Sequence, residues 1–353
     1  MEGTGQVATN AEASLPRRPR TLTPDDYVTG VLGGNSGVLA RAITLVESSS
    51  RIHEAQAQEV LQRLLPHTGK SRRIGITGVP GVGKSTFIEA FGCFLVEAGH
   101  KVAVLTIDPS SARSHGSILG DKTRMERLSC HPNAYIRPTA AGGTLGGVAR
   151  RTRETMLLCE AAGYDIVLLE SVGVGQSEIA LRSMVDFLLL LLLPGAGDEL
   201  QGIKKGIVEI ADAVLINKAD GDNLLKAQQA RAEQESALHY TQPATPGWKR
   251  TVALASALTG EGIPALWDAI QRFYRELEPK GTITRRRQQQ LLEWLSDLVQ
   301  DELHRLFFQN ARVRAQLPVL QEALLSGEIT AVRAARELLA LGMPADNLTG
   351  TET

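Results

Sequence analysis

The sequence predicts an α/β protein: a mostly parallel β-sheet with helices on both faces and helical extensions at both ends. Three observations carry that expectation. Short apolar runs alternate with amphipathic stretches between residues 73 and 256, one such run enters a Gly-rich turn, and strand-like segments cease after residue 285. Strand and helix in alternation make neighbouring strands parallel, because each crossover lays a helix over one face of the sheet.

Taken in order, residues 1–24 are polar, small and Pro-containing, and read as a flexible tail. "DDYVTGVLGGNSGVLARAITLVES" and "RIHEAQAQEVLQRLLPHTGK" read as short helices, an N-terminal extension over residues 25–70. In the second, Ala57, Val60, Leu61, Leu64 and Leu65 share one helical stripe. Strands are expected at Arg73–Thr77, Lys101–Asp108, Asp165–Glu170, from Phe187, at Ala213–Asn217 and at Thr251–Ser256. "FLLLLLLP", Phe187 to Pro194, suits a strand buried on both faces. It is far too short for a bilayer, which takes roughly 20 residues. "VARRTRETMLLCEAAG" and "LLKAQQARAEQESALH" supply covering helices, and the whole unit spans residues 71–280.

Beyond "TRRRQQQ" the pattern is helical, over residues 281–345, before a short tail at 346–353. Leu291, Leu295, Leu298, Leu303, Leu306 and Phe307 recur at helical spacing, and Trp294 and Val299 widen the stripe. So wide an apolar face on a terminal helix needs a partner, either its own domain or a second copy. Pro318 and Gly327 are expected to punctuate two further helical pieces, and Arg285 to Arg287 to form a solvated helix start.

Composition narrows the class. With 43% hydrophobic and 22% charged residues the chain can bury a core, as soluble globular proteins do. A net charge of -1 provides no global field toward nucleic acid or an anionic membrane, so neither is an expected partner. Cys93, Cys130 and Cys159 are far apart and form no CxxC pair, as expected of reduced thiols. No apolar leader precedes residue 24, and Glu2, Glu12, Asp25 and Asp26 dilute the Arg17, Arg18 and Arg20 cluster. The expected location is the cytoplasm.

The chemistry starts at "RIGITGVPGVGKSTF", Arg73 to Phe87. Gly78, Val79, Pro80, Gly81, Val82, Gly83, Lys84 and Ser85 satisfy GxxxxGK[ST], and Thr86 follows. Glycines let the backbone curl so that successive N–H groups point at phosphate oxygens, and the following helix adds its positive end. Lys84 can reach the β- and γ-phosphates and the Ser85 hydroxyl can ligate Mg²⁺. A nucleoside triphosphate is therefore the expected ligand.

"INKAD" sets the base. Asn217, Lys218 and Asp220 follow a buried strand in the NKxD order. Guanine presents two adjacent donors, N1–H and its exocyclic amine, which one carboxylate accepts together; adenine has an acceptor at N1. Lys218 can lie along the base plane and Asn217 can bond neighbouring loops. Downstream, "LASALTGEG" puts Ser256, Ala257 and Leu258 where a backbone N–H can meet guanine O6. GTP and GDP are expected over ATP.

Three acids stand at strand ends or loops: Asp108 closes "VLTID", Asp121 stands in "SILGDKTRM", and Glu170 closes "DIVLLE" before "SVGVGQSE". Ligands gather at strand C-termini in such sheets. Mg²⁺ takes only one or two protein carboxylates, so not all three can be inner ligands. Glu170-Ser-Val-Gly173 parallels the DxxG switch with Glu for Asp, and the Gly173 N–H can sense a γ-phosphate. "PGAGDELQGIKKG", Pro194 to Gly206, combines glycines with Asp198, Glu199, Lys204 and Lys205, as a nucleotide-dependent loop would.

Together these strings resemble the MeaB/ArgK family of GTPases, which includes the human methylmalonic aciduria type A protein. The resemblance rests on "GITGVPGVGKSTFIEA", "DPSSARSHGSILGDKTRM", "ESVGVGQSE", "LLPGAGDELQGIKKGI" and "INKADGDN". It implies a P-loop G domain of the SIMIBI type, with a C-terminal helical region that forms a homodimer. It further implies a chaperone of adenosylcobalamin-dependent methylmalonyl-CoA mutase, or a related acyl-CoA mutase, with the cobalamin adenosyltransferase a further candidate partner. By matching motif, Ser85, Asp108, Asp121 and Glu170 become the magnesium site, and Lys84, Asp108, Glu170 and Lys204 the catalytic candidates. Lys204 is carried over as the residue of mutase-stimulated hydrolysis. Nickel-type metal-insertion GTPases share the fold class but usually carry Cys/His sites, and nothing comparable is visible in the sequence. A non-enzymatic, nucleotide-dependent scaffold is another reading. An older label, kinase of arginine and ornithine transport proteins, conflicts with NKAD.

Overall fold

The computed structural model describes residues 22–48, 50–107, 125–138, 145–171, 176–195 and 205–342. The chain enters through α1 (Pro24–Leu32), α2 (Ser36–Glu47) and α3 (Arg51–Leu64). Thr23 and Asp26 make a reciprocal capping box at the head of α1, and Asn35 accepts from Val38 N–H at the head of α2. Gly34, at a positive φ of 69°, turns the chain between them. Ala57, Val60, Leu61 and Leu64 of α3 join Val31, Leu39 and Ile43 in a core. Leu65, expected on the same stripe, is exposed, because the α-helix ends at Leu64 and a tighter turn follows over Leu65–His67.

The α/β unit runs β1 (Arg72–Gly78), α4 (Lys84–Glu97), β2 (Val102–Ile107), α5 (Glu126–Ser129), β3 (Ala134–Pro138) and α6 (Leu145–Ala161). It continues with β4 (Ile166–Ser171), α7 (Gln176–Arg182), β5 (Phe187–Leu192), α8 (Lys205–Ile210), β6 (Ala213–Ile216), α9 (Leu224–His239), β7 (Thr251–Leu254) and α10 (Ile263–Leu277). The described strands form one seven-stranded sheet in the order β3-β2-β4-β1-β5-β6-β7, with every neighbouring pair parallel. The unbroken apolar run of β5 serves both faces. Phe187, Leu189 and Leu191 pack with Phe87, Phe91 and Phe273 on one side, while Leu188 meets Leu105, Leu169 and Leu181 on the other.

β3 has no counterpart among the strands expected from the sequence. It is an edge strand paired only with β2, and of its residues Ile136 is buried while Tyr135 and Arg137 are half-buried. Arg137 ion-pairs with Glu47 of α2. An edge strand needs no apolar run, so "AYIRP" gives no signal.

The C-terminal region consists of α11 (Thr282–Gln309), α12 (Ala311–Leu325) and α13 (Ala331–Gly342). Gly327, at a φ of 78°, closes α12, but Pro318 lies inside that helix and does not interrupt it. The basic run is also not solvated as expected: the side chains of Arg286 and Arg287 are only 13% and 18% exposed. Their charge is spent on the lower edge of the sheet. Arg287 holds both oxygens of the fully buried Asp186, at 2.8 and 2.6 Å, and donates to Ser71 O at 2.6 Å. Asp186 also accepts from Arg73 N–H at 3.0 Å and the Tyr274 hydroxyl at 3.1 Å. Truncating one partner of a buried pair strands the other, at about 3–5 kcal/mol. Asp186→Ala is expected to lose roughly that much stability, read as a lower urea midpoint.

Past this anchor the predicted stripe faces outward. Leu291, Leu295, Val299, Leu303 and Leu306 are all exposed in the single chain, Leu295 at 59%. Among the described residues, no helix is long and apolar enough to cross a membrane.

Candidate nucleotide site

The Gly-rich turn sits where β1 meets α4, at the C-terminal edge of the sheet. Gly78 closes β1 with a φ of 151°, and a Cβ there would lie 2.5 Å from Leu191 O of β5. Gly83 takes a φ of 91° at the head of α4, and a Cβ there would lie 3.0 Å from Asn217 Nδ2. Neither position tolerates a side chain without displacing backbone or the Asn217 amide. Val82 drops into the core and pins the loop from beneath, whereas Pro80, Gly81 and Thr86 are exposed and Val79 is half-buried.

Lys84, the first residue of α4, is buried, and its Nζ donates to Gly78 O at 2.8 Å and Val79 O at 3.2 Å. Burial pushes its pKa below the ordinary lysine value, and the nearby charges of Glu170 and Glu178 oppose that. The ammonium is thus folded back over the loop. The Ser85 hydroxyl donates to Glu170 Oε1 at 3.3 Å. Glu170 lies on β4 in register with Ile76 of β1, and the Ser171 hydroxyl donates to Thr77 Oγ1 at 2.8 Å between the same strands. One hydroxyl and one carboxylate, both hard oxygens, converge beside the loop, a donor set that suits Mg²⁺.

On the far side of the loop, Asn217 Nδ2 donates to Val82 O at 2.9 Å and Lys218 Nζ to Gly81 O at 3.1 Å. Lys218 is the one non-glycine residue with positive φ among the described residues, at 58°. Such a conformation is strained for a side-chain-bearing residue and tends to gather at functional sites. The Asp220 carboxylate accepts the Ser256 hydroxyl, which in turn accepts from Thr259 N–H at 3.2 Å. Ala219 N–H to Ala255 O and Ala255 N–H to Ile216 O, both 3.1 Å, tie the two loops together. Ser256 N–H donates to Glu261 O at 3.0 Å, so Ala257 and Leu258 are left as candidates to meet guanine O6. Leu258 is 85% exposed.

The structure therefore brings together the 78–86 loop, Glu170, Asn217, Lys218, Asp220 and Ser256 to Leu258. Asp108, Asp121, Gly173 and Lys204 lie outside the described residues. One residue was not singled out from the sequence: Glu178, buried on α7 close enough for its charge to act on Lys84. It stands in the quoted string "ESVGVGQSE", but a lone Glu in the first turn of a helix is indistinguishable from an ordinary surface charge.

A parallel sheet of this order, a GxxxxGKS loop leaving β1 and NKAD leaving β6 define a P-loop GTPase of the SIMIBI class, a binder of guanine nucleotides. The family model described as "Methylmalonyl Co-A mutase-associated GTPase MeaB" matches residues 39–312, and the chain belongs to that family. A "Putative GTPase" of Caulobacter vibrioides is 54% identical over 310 residues, covering 88% of this chain and 95% of the relative. The mouse "Methylmalonic aciduria type A homolog, mitochondrial" is 46% identical over 325 residues, covering 89% and 78%. A crystal structure of a LAO/AO transport system kinase superposes with a TM-score of 0.72 at 36% identity, covering 94% of this chain and 98% of that one.

Proposed function

We propose that this GTPase assembles, protects or reactivates an adenosylcobalamin-dependent acyl-CoA mutase of the methylmalonyl-CoA mutase type, and that hydrolysis of GTP gates delivery of the cofactor. The observation that carries the proposal is the match of residues 39–312 to a mutase-associated GTPase family. Similarity to the mouse methylmalonic aciduria relative over 89% of the chain supports it.

In this reading the backbone of residues 78–86 cradles the phosphates and Lys84 swings from Gly78 O and Val79 O onto the β- and γ-oxygens. Asp220, steadied by Ser256, accepts from the guanine edge. Ser85 and one or two of Glu170, Asp108 and Asp121 would hold Mg²⁺ directly, and any remaining acid would act through water. Bound there, the ion would supply positive charge to offset the negative charge that develops during transfer to water. Gly173 reports the γ-phosphate, and Lys204 acts when the mutase docks. The exposed apolar stripe of α11 supports a homodimer built from residues 281–345, because so much exposed apolar surface is unfavourable on a monomer. The cobalamin adenosyltransferase is a second partner and the cytoplasm the working compartment in the same proposal.

The test is a pull-down from cell extract with the full chain, loaded first with GDP and then with a non-hydrolysable GTP analogue. Nucleotide-dependent recovery of a cobalamin enzyme is expected. Recovery of transport components alone would overturn the proposal.

A further inference from the structure

A cavity of about 600 Å³ opens between α7, the 244–246 loop and the first turns of α11. Asp186 and Asp212 stand just ahead of β5 and β6, at the N-terminal ends of those strands, and α7 and α11 meet there. The phosphate loop leaves the C-terminal end of β1, and in a parallel sheet the two ends are opposite edges, about 20 Å apart along a six-residue strand. None of the lining residues belongs to the nucleotide site.

Three of the lining side chains are guanidiniums, those of Arg182, Arg285 and Arg286, against one carboxylate, that of Glu293. Behind them lies the fully buried Asp212, whose oxygens are already engaged. One accepts from Arg182 at 2.6 Å and from Leu188 N–H at 2.9 Å, and the other from the Thr245 hydroxyl. Arg286 stays 3.9 Å from that carboxylate and bonds instead to two uncharged oxygens, Asp186 O and Thr245 Oγ1. Burial holds its pKa below the ordinary arginine value; the Asp212 charge opposes that shift and the Arg182 charge adds to it. Among the described residues Arg285 forms no ion pair and donates to the Thr282 hydroxyl at 3.5 Å, a weak bond. Glu293 is exposed and accepts from Gln289 Nε2 at 3.0 Å. Positive charge is therefore in excess.

The helix itself adds to that excess. Gly281 gives α11 no capping side chain, and no acid occurs in its first turn. The first N–H groups of a helix lack intrahelical acceptors and carry its positive end, which favours an anion and disfavours nearby cations. Thr282, the first residue of α11, lines the cavity, while Ile179, Ala244 and Pro246 give it an apolar wall.

We propose that this cavity is a second ligand site, one that takes a phosphate ester with a small apolar body. The phosphate meets the guanidiniums of Arg285 and Arg286 at the head of α11, and the apolar part packs on Ile179, Ala244 and Pro246. A phosphate supplies what the arginines lack, because the forked guanidinium donors match its oxygens two at a time. The volume falls in the range of small-molecule pockets, about 300–1,000 Å³. The site stands independently of which enzyme the GTPase serves.

The test titrates phenyl phosphate, by calorimetry, into the full chain saturated with GDP and Mg²⁺ so that the phosphate loop is occupied. Binding at one site per chain is expected, with phenol giving no heat. Arg285 is exposed, so Arg285→Ala is expected to fold and to keep its GDP affinity while binding phenyl phosphate about tenfold more weakly, the scale of one hydrogen bond to a charged group. Arg285→Lys retains the charge without the fork and is expected to fall between the two. No binding to the GDP-loaded chain, or an affinity unmoved in Arg285→Ala, overturns the proposal. Competition between phenyl phosphate and GDP would place the phosphate in the Gly-rich loop and overturns it as well. Binding that vanishes at concentrations where the chain dimerises would assign the cavity to a second copy, with the same consequence.

Discussion

An Asp220→Asn variant is expected to lose GTP affinity by about a thousandfold and to take up xanthosine triphosphate in its place. The size follows from the chemistry of the guanine edge. A site built to accept two donors rejects a mismatched partner by several orders of magnitude, because buried groups are left unpaired or opposed. Asparagine keeps one acceptor for N1–H but turns a donor toward the exocyclic amine. Xanthine carries a carbonyl at that carbon, so the same amide pairs with it. The Ser256 hydroxyl, which now donates to Asp220, can still donate to the remaining amide oxygen, so the loop geometry survives. Fluorescent-nucleotide competition with GTP, XTP and ATP measures the switch. Undiminished GTP binding in the variant would mean that the base is read elsewhere.

Lys84→Ala is expected to lower kcat/KM for GTP by about a thousandfold, the scale on which removing a charge-stabilising donor acts. The effect on folding is expected to be small. The ammonium is bonded to two carbonyls of its own loop and pays a burial penalty, so its removal costs little structure. Ala is also the residue best suited to a helix interior. The combination is diagnostic: a thermal midpoint near that of the parent, together with collapsed turnover, separates a phosphate contact from a scaffold residue.

Much of this was legible in the chain because strong local patterns coincide with the working parts. The β1 run, the loop and α4 announce themselves through a fixed motif between two periodic segments, and the five apolar strands after β1 that were expected are all present. What stayed hidden has physical reasons. β3 is an edge strand that buries little, so its short sequence has neither an apolar run nor alternation. Arg286 and Arg287 look like a solvated cationic start until the fold brings Asp212 and Asp186, the latter 101 residues before Arg287, beneath α11. Pro318 predicts a break, yet on the exposed side of α12 the hydrogen bond it removes and its crowding of the preceding turn are carried by packing elsewhere along the helix. How closely α7 lies on β1 over Gly75, which lets the Glu178 charge act on Lys84, is a tertiary fact with no counterpart in spacing.

The most direct test of the central claim is single-turnover hydrolysis of GTP by the full chain, alone and with purified adenosylcobalamin-dependent methylmalonyl-CoA mutase. The predicted result is a rate that rises with mutase concentration to a plateau, with the rise lost in Lys204→Ala while the unstimulated rate persists. An identical rate at every mutase concentration, with no complex formed in either nucleotide state, would contradict it.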